Sequence, residues 1–384
     1  MSRPELRVGI VGYGVMGKAH CYGYRVAPML RPLPVTPVVA VMSGRSGPGV
    51  AAAAAAYGVP EHTTDWRALV ARDDLDVVDI CTPPGTHAEI AQAAAAAGKA
   101  VLCEKPLALS YPQAAAALAA AESAGVHHAV GFNYRRLPAV ALMRRMVADG
   151  AVGEVRLWRA TWLSDEFADP RTPYDWRFDR AMGGTTIADL GSHLIDLALW
   201  MAGEIGSVCA QSQTFTRQRP LPGEPGAGAQ PVTVDDASSA LLRFSSGALG
   251  TMEVARAAVR RPCDFTVEVN GSSGTLVFDY ARLNELRYGS AGDDPGLYGM
   301  RRIRAEHPSH PYAASWWPLG QGVGYGSSFG NQVADLLAGW PEVPWDPGFG
   351  QGAAVQAVCD AMEASAASGR WVAVSEVTAA RTAG

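Results

Sequence analysis

A chain of 384 residues with a formal net charge of −5 has length for two domains and, lacking any block of Lys or Arg, no electrostatic footprint for nucleic acid. Met1 to Leu6 is short and polar, unlike a secretory leader, and no unbroken run of about 18 apolar residues offers a membrane span. The six cysteines, Cys21, Cys81, Cys103, Cys209, Cys263 and Cys359, form no C-x-x-C pair and match no zinc spacing, which points to reduced thiols, a cytoplasmic protein and no metal site.

In chain order, Arg7 to Val11 is a short apolar run stopped by glycine, the pattern of a buried parallel strand. Gly17 to Ala27 follows as a helix and Met29 to Pro37 as a proline-rich loop. Further buried strands are predicted at Val38 to Met42, Val77 to Cys81, Ala100 to Cys103 and His128 to Phe132. Helices fall between them at Ala51 to Tyr57, His87 to Ala97 and Pro112 to Ser123, each closed by a glycine. This alternation predicts a parallel sheet with helices on both faces.

Beyond Phe132 the pattern changes. Pro138 to Ala148 reads as a helix, Val155 to Trp162 as an alternating strand, Ser164 to Met182 as a loop and Ile187 to Met201 as a helix. Five segments, Val208 to Phe215, Ala237 to Phe244, Ala248 to Ala255, Phe265 to Asn270 and Thr275 to Tyr280, read as one antiparallel meander, with Pro220 to Pro231 as a surface loop. Phe329 to Ala338 and Ala353 to Ala367 close the chain as helices. The fold class is therefore α/β, with an N-terminal domain at 1–133 and an α+β domain with a large, mostly antiparallel open sheet at 134–384.

Gly12-Tyr13-Gly14-Val15-Met16-Gly17 follows a strand and opens a helix, as the dinucleotide fingerprint G-x-G-x-x-G requires. The helix N-terminus supplies unpaired N–H groups to a pyrophosphate, so Gly12, Tyr13, Gly14, Met16 and Gly17 are candidate cofactor contacts. The end of the next strand should read the ribose. Ser43, Arg45 and Ser46 stand there with no acid, and a hydroxyl and guanidinium suit a 2′-phosphate, so the preferred cofactor is NADP, with NAD possible.

Glu104-Lys105-Pro106 leaves a strand at the carboxyl edge, where ligands sit in such sheets. Lys105 there can hydrogen-bond a substrate oxygen or relay its proton. Asp189 and His193 are four apart, so a regular helix puts them on one face, with Asp196 near it one turn on. A histidine suits the proton transfer that accompanies hydride transfer.

Together Gly12-x-Gly14-x-x-Gly17, Cys81-Thr82-Pro83-Pro84 with His87, Glu104-Lys105-Pro106, Gly131 to Arg136 and Asp189-x-Gly191-x-His193 resemble, in order and spacing, the Gfo/Idh/MocA oxidoreductases. Phe132 to Leu142 and Asp175 to Phe178 look closest to its inositol and levoglucosan dehydrogenase branch. The resemblance implies an N-terminal Rossmann domain and a catalytic trio of Lys105, Asp189 and His193. It implies that Thr82, Pro83 and His87, with Glu104 and Lys105, border the nicotinamide, and that Asn133, Tyr134, Trp176 and Arg177 line a sugar or polyol site. It also implies a homodimer or homotetramer paired through the C-terminal sheet, whose outer face is expected to be apolar through Leu241, Phe244, Leu249 and Met252. The departure is at Ser43 to Ser46, where relatives in that branch carry an acid near Gly44.

The resulting expectation is an NAD(P)-dependent oxidoreductase moving a hydride between nicotinamide and the carbinol or ketone carbon of a small polyol, cyclitol or sugar. Three rivals stand beside it: a relative that oxidises only transiently to eliminate a glycosidic substituent, a sugar-nucleotide ketoreductase using Arg135, Arg136 and Arg177, and a non-catalytic dinucleotide-binding regulator.

Overall fold

The computed structural model describes residues 3–223 and 228–379. Six parallel strands, β1 (Glu5–Val11), β2 (Thr36–Ser43), β3 (Glu61–Thr63), β4 (Val77–Ile80), β5 (Ala100–Cys103) and β6 (His128–Val130), form one sheet in the order β3-β2-β1-β4-β5-β6. Helices α1 (Val15–Leu30), α2 (Gly47–Tyr57), α3 (Trp66–Val70), α4 (His87–Ala96) and α5 (Tyr111–Ala124) connect them. The strand order reverses between β1 and β4, which opens a ligand crevice at their carboxyl ends. β3 and α3 escaped the sequence reading because both are short and β3 is a polar edge strand. α1 continues through Pro28 to Leu30, since a proline near the last turn forfeits one hydrogen bond without stopping the helix there.

The second half supplies α6 (Pro138–Ala148), β7 (Val155–Leu163), α7 (Ser192–Ala202), β8 (Ile205–Gln213), β9 (Gln218–Pro220), β10 (Ala229–Pro231), β11 (Ala237–Phe244), β12 (Leu249–Ala255), β13 (Asp264–Gly271), β14 (Gly274–Asp279), β15 (Glu285–Ser290) and β16 (Arg301–Arg304). It closes with α8 (Ser327–Ala338), α9 (Phe349–Ser368), β17 (Val372–Ala373) and α10 (Val374–Ala379). Nine strands join in the order β16-β15-β14-β13-β7-β12-β11-β8-β17.

The meander expected from the sequence is interrupted. β7 inserts between β12 and β13, parallel to the first and antiparallel to the second. Alternation along a strand fixes its faces but carries no information on which strand lies beside it. The expected loop at Pro220 to Pro231 ends in β10, which pairs antiparallel with β9 at the start of the loop, while residues 224–227 lie outside the described residues.

One face of this sheet buries Trp158, Ala160, Trp162, Phe265, Val267 and Phe278 against α6, α7 and α9. Phe244 and Met252 point to this inner face, whereas Leu241 and Leu249 are 51% and 55% exposed on the outer one. An odd spacing along a strand flips a side chain, so the four cannot share a surface. The outer face is instead mixed: Arg159, Leu241, Leu249 and Glu268 all reach it. α8 returns to the first sheet, where Val333, Ala334 and Leu337 join Leu6, Ile10 and Ala27 in one core.

Candidate active site

The glycine motif is built as its sequence requires. Gly12 has φ +113°, and a Cβ there would lie 2.5 Å from the Cys81 carbonyl oxygen just past β4. At Gly17 a Cβ would lie 2.2 Å from the Gly12 carbonyl oxygen, so only glycine lets α1 pack so close to the turn. Gly14 differs: a Cβ there would meet nothing within 4 Å, and Gly14 caps α1 without a side-chain hydrogen bond. Open space over uncapped N–H groups is the cradle a pyrophosphate fits. Tyr13 and Met16 flank it, both partly exposed.

The ribose end is arranged less simply than expected. Ser43 is buried and its carbonyl accepts from the Gly12 amide at 2.9 Å. The Ser46 hydroxyl caps α2, accepting from the Gly49 amide at 3.2 Å. Arg45 and Ser46 are both exposed, but the Ser46 hydroxyl is already engaged as the α2 cap. A Cβ at Gly44 would lie 2.1 Å from the Tyr13 ring, which explains why no acid stands there: Tyr13 fills the space.

Across the crevice the two halves meet. Lys105 Nζ donates to the Asp189 carbonyl at 2.6 Å and to Asp189 Oδ1 at 3.1 Å. Arg256, buried at the end of β12, places Nη1 3.5 Å from the other carboxylate oxygen of Asp189. Burial would raise the Asp189 carboxyl, but Lys105, Arg256 and Arg177 outweigh it and hold the group well below the usual carboxylate range.

His193 is buried in an aromatic cage: Tyr134 lies edge-on at 4.7 Å between ring centroids, Phe132 at 6.2 Å, and Trp162 stacks at 5.6 Å. Burial, with the Lys105 ammonium adding to it, holds His193 well below the ordinary histidine range. Its Nδ1 is buried without a hydrogen-bond partner among the described residues. A neutral imidazole with spare capacity is therefore set beside an ionised Lys–Asp pair.

Asp189 sits in a π-helical turn, Ile187–Gly191, that leads into α7. Such turns recur at functional sites because the wider winding re-aims a side chain. The regular spacing that put Asp189, His193 and Asp196 together therefore does not hold throughout. Asp196 is buried elsewhere, gripped by Arg135 Nε and Nη2 at 2.7 and 2.6 Å and by Gln351 at 3.0 Å.

The remaining candidates divide. Thr82 and Pro83 are partly exposed at the sheet's carboxyl edge. His87 is fully buried, with both ring nitrogens 2.7 Å from carbonyls of Thr82 and Pro106. Its side chain holds two loops together. Glu104 is likewise buried and occupied by protein partners. Asn133 donates to Ser328 at 2.8 Å, and Tyr134 packs between His193 and Tyr325. Trp176 and Arg177 stack on each other at 4.4 Å on a loop ordered by Asp175. Arg177 acts electrostatically on Asp189 and Glu166.

The sequence reading missed Arg256, Glu166 and Trp162. Nothing local marks an arginine at the end of one strand or a glutamate in a loop as a neighbour of Asp189. It also missed His20, for which a signal existed: the buried face of α1 runs Gly17, His20, Tyr24, Ala27, and a histidine at core spacing needs a partner.

Residues 6–132 match the oxidoreductase family model with an NAD-binding Rossmann fold, and residues 140–277 match the GFO/IDH/MocA C-terminal domain. Levoglucosan dehydrogenase of Pseudarthrobacter phenanthrenivorans is 38% identical over 98% of this chain and 100% of its own. A solved levoglucosan dehydrogenase in complex with NADH and L-sorbose superposes with TM-score 0.93, covering 97% of this chain and 99% of that one at 38% identity. An oxidoreductase domain protein from Kribbella flavida is 44% identical at TM-score 0.93, over 97% and 100% of the two chains. Sequence motifs, strand order and site geometry agree with these matches: the chain belongs to the Gfo/Idh/MocA oxidoreductases, with their NAD-binding Rossmann fold.

Proposed function

We propose that the protein is an NAD-dependent dehydrogenase that oxidises a secondary alcohol of a small sugar, anhydrosugar or cyclitol, with residues 1–133 seating the cofactor and 134–384 the substrate. The observation that carries this reading is the pairing of Lys105 with Asp189 beside a His193 kept neutral. When bound, the oxidised dinucleotide supplies the hydride acceptor. Lys105 Nζ and the Asp189 carboxylate hold the reacting hydroxyl, and an imidazole nitrogen of His193 takes its proton. The aromatic cage excludes water and keeps the imidazole uncharged until that moment. Asn133, Tyr134, Trp176, Arg177 and Glu166 offer partners for the other hydroxyls, which need them once buried.

The preference for NADP drawn from Ser43, Arg45 and Ser46 gives way to NAD. Two of those three side chains are committed within the protein, the family domain is NAD-binding, and the solved relative holds NADH. A sugar-nucleotide substrate is disfavoured because its diphosphate would need cations. Arg135 is locked on Asp196, and Arg136 pairs with Asp335 at 3.0 Å, which leaves Arg177 alone of the three at the cleft. The intact trio likewise disfavours a non-catalytic regulator. Assembly as a dimer or tetramer through the outer face of the nine-stranded sheet, and a reducing, cytoplasmic setting for six free cysteines, complete the reading. No helix among the described residues is long and apolar enough to cross a membrane.

The test is a titration with NADH and NADPH followed by tryptophan fluorescence, then reduction of NAD by levoglucosan, inositols and simple sugars. Tight NADH binding and turnover of one of these polyols are expected. Absence of binding to either nucleotide overturns the reading, as does binding without turnover of any of them.

A further inference from the structure

Beneath the catalytic lysine lies a buried ionic cluster that the chemistry above does not use. His20 of α1 places Nδ1 2.9 Å from both carboxylate oxygens of Asp79 on β4, and Nε2 2.9 Å from Glu104 Oε1 just past β5. All three side chains are buried. A neutral imidazole has one N–H and would aim a bare lone pair at one of the two carboxylates. With both carboxyls ionised, both contacts are satisfied only when the ring carries both protons. Burial opposes that charge, but the Asp79 carboxylate, with help from Cys81, outweighs it and holds His20 well above the ordinary range. Cys21 and Tyr24 on the same helix, Cys81 just past β4, Cys103 on β5, and His87, Lys105 and Tyr325 near Glu104 are other titratable groups around the cluster, and the Phe329 ring of α8 lies 5.7 Å away.

The second oxygen of Glu104 passes the constraint on. Oε2 accepts from the Lys105 amide at 3.1 Å, and Lys105 in turn reaches Asp189. One connected path therefore runs from the helix that cradles the dinucleotide to the lysine that holds the substrate. We propose that His20 is a positioning residue of the hydride-transfer site: by bridging Asp79 and Glu104 it fixes the Lys105 backbone relative to α1, and so couples the seat of the cofactor to the placement of the catalytic lysine. The kinetic consequence rests on the dehydrogenase reading, whereas the bridge itself does not.

The experiment combines ¹⁵N-histidine NMR of the full-length protein with kinetics of His20→Gln and of Glu104→Gln, which keeps the volume of Glu104 if the first variant folds poorly. The His20 signals, assigned by their loss in His20→Gln, are expected to show both ring nitrogens still protonated at pH values above the ordinary histidine range. A singly protonated His20 at neutral pH overturns the bridge; a metal ion between His20 and Asp79 would give that result. In Glu104→Gln the ring is expected to become singly protonated, because the amide can donate to Nε2. His20→Gln is expected to lower kcat roughly 100-fold, the scale of an ångström-sized misplacement, with NADH affinity within about threefold of wild type. Unchanged kcat overturns the proposal, and so does a parallel loss of kcat, NADH affinity and melting temperature, which would mark a purely structural role. If the wild type turns over no polyol, the dehydrogenase reading fails by itself. A crystal structure of His20→Gln then decides the inference: Lys105 Nζ displaced from Asp189 supports it, and an unmoved lysine overturns it.

Discussion

Asp189 and Asp196 belong to one helical segment, and each has an arginine within ion-pair distance, yet they do opposite things. The Asp189 side chain is 19% exposed, shares two cations, and lies where the helix is wound as a π turn. Asp196 is 1% exposed and clamped by a single arginine that is itself buried. For Asp189, cations outweigh burial and lower the carboxyl; for Asp196, burial outweighs Arg135 and Gln351 and raises it. A carboxylate proposed to meet a substrate keeps a wet edge and a partly exposed lysine partner. One that must join elements gives up both.

The widest separation of the two regions should come from His193→Asn and Lys105→Met. Each is expected to lower kcat by about 10²- to 10⁴-fold, the range for a lost proton-transfer group, while urea denaturation shows a near wild-type midpoint. Asp196→Asn should do the reverse. An amide that faces the buried Arg135 or Gln351 donor to donor in place of an acceptor oxygen is expected to cost about 1–3 kcal/mol in the same urea experiment, while the folded fraction keeps its kcat. If Asp196→Asn were stable and inactive, the division of labour between the two carboxylates would be wrong.

pH should sharpen the comparison. Asp189 is depressed in the folded state, so its ionised form contributes stability above the unfolded carboxylate pKa of about 3.9, and that contribution is lost as pH falls through the folded value. Asp196 is raised, so its contribution is present below the unfolded pKa and lost as pH rises through the folded value. Urea midpoints across the acid range should therefore fall less steeply toward low pH in Asp189→Asn than in wild type. His193 is depressed by burial first and Lys105 second, so the acid limb of kcat/KM is expected below about pH 6.5. A limb at or above that value would show that the cage does not keep the base neutral.

The smallest effect is expected at Arg45, exposed at the ribose end. Arg45→Ala should weaken NADPH binding by no more than about tenfold, the upper range of an exposed ion pair, and leave NADH binding nearly unchanged. A large loss of NADH affinity would mean that Arg45 grips the cofactor in a way its exposure does not suggest.

Much of the first half was legible because parallel strands buried on both faces are short apolar runs, and the turns between them demand glycine at fixed places. Gly12 and Gly17 are fixed by backbone contacts that exclude a side chain, so the motif carries its own geometry. Lys105, Asp189 and His193 were legible as a set through their motifs, although the regular-helix argument for Asp189 was incomplete. The NADP preference misled because it read Ser43 and Ser46 as free side chains. One is buried, and the other caps a helix.

By itself the sequence determined the alternation of strand and helix and the cofactor turn, which depend on local sterics and periodicity that the order of residues contains. Lys105, Asp189 and His193 were singled out by their motifs, not by periodicity. Tertiary structure alone decided that β7 lies between β12 and β13, that Asp196 belongs to the core, that Arg256 stands over Asp189, and that His20 bridges Asp79 and Glu104. Each of these joins side chains far apart in the chain. A charge far along the sequence leaves no periodic trace, and only folding sets how near it comes.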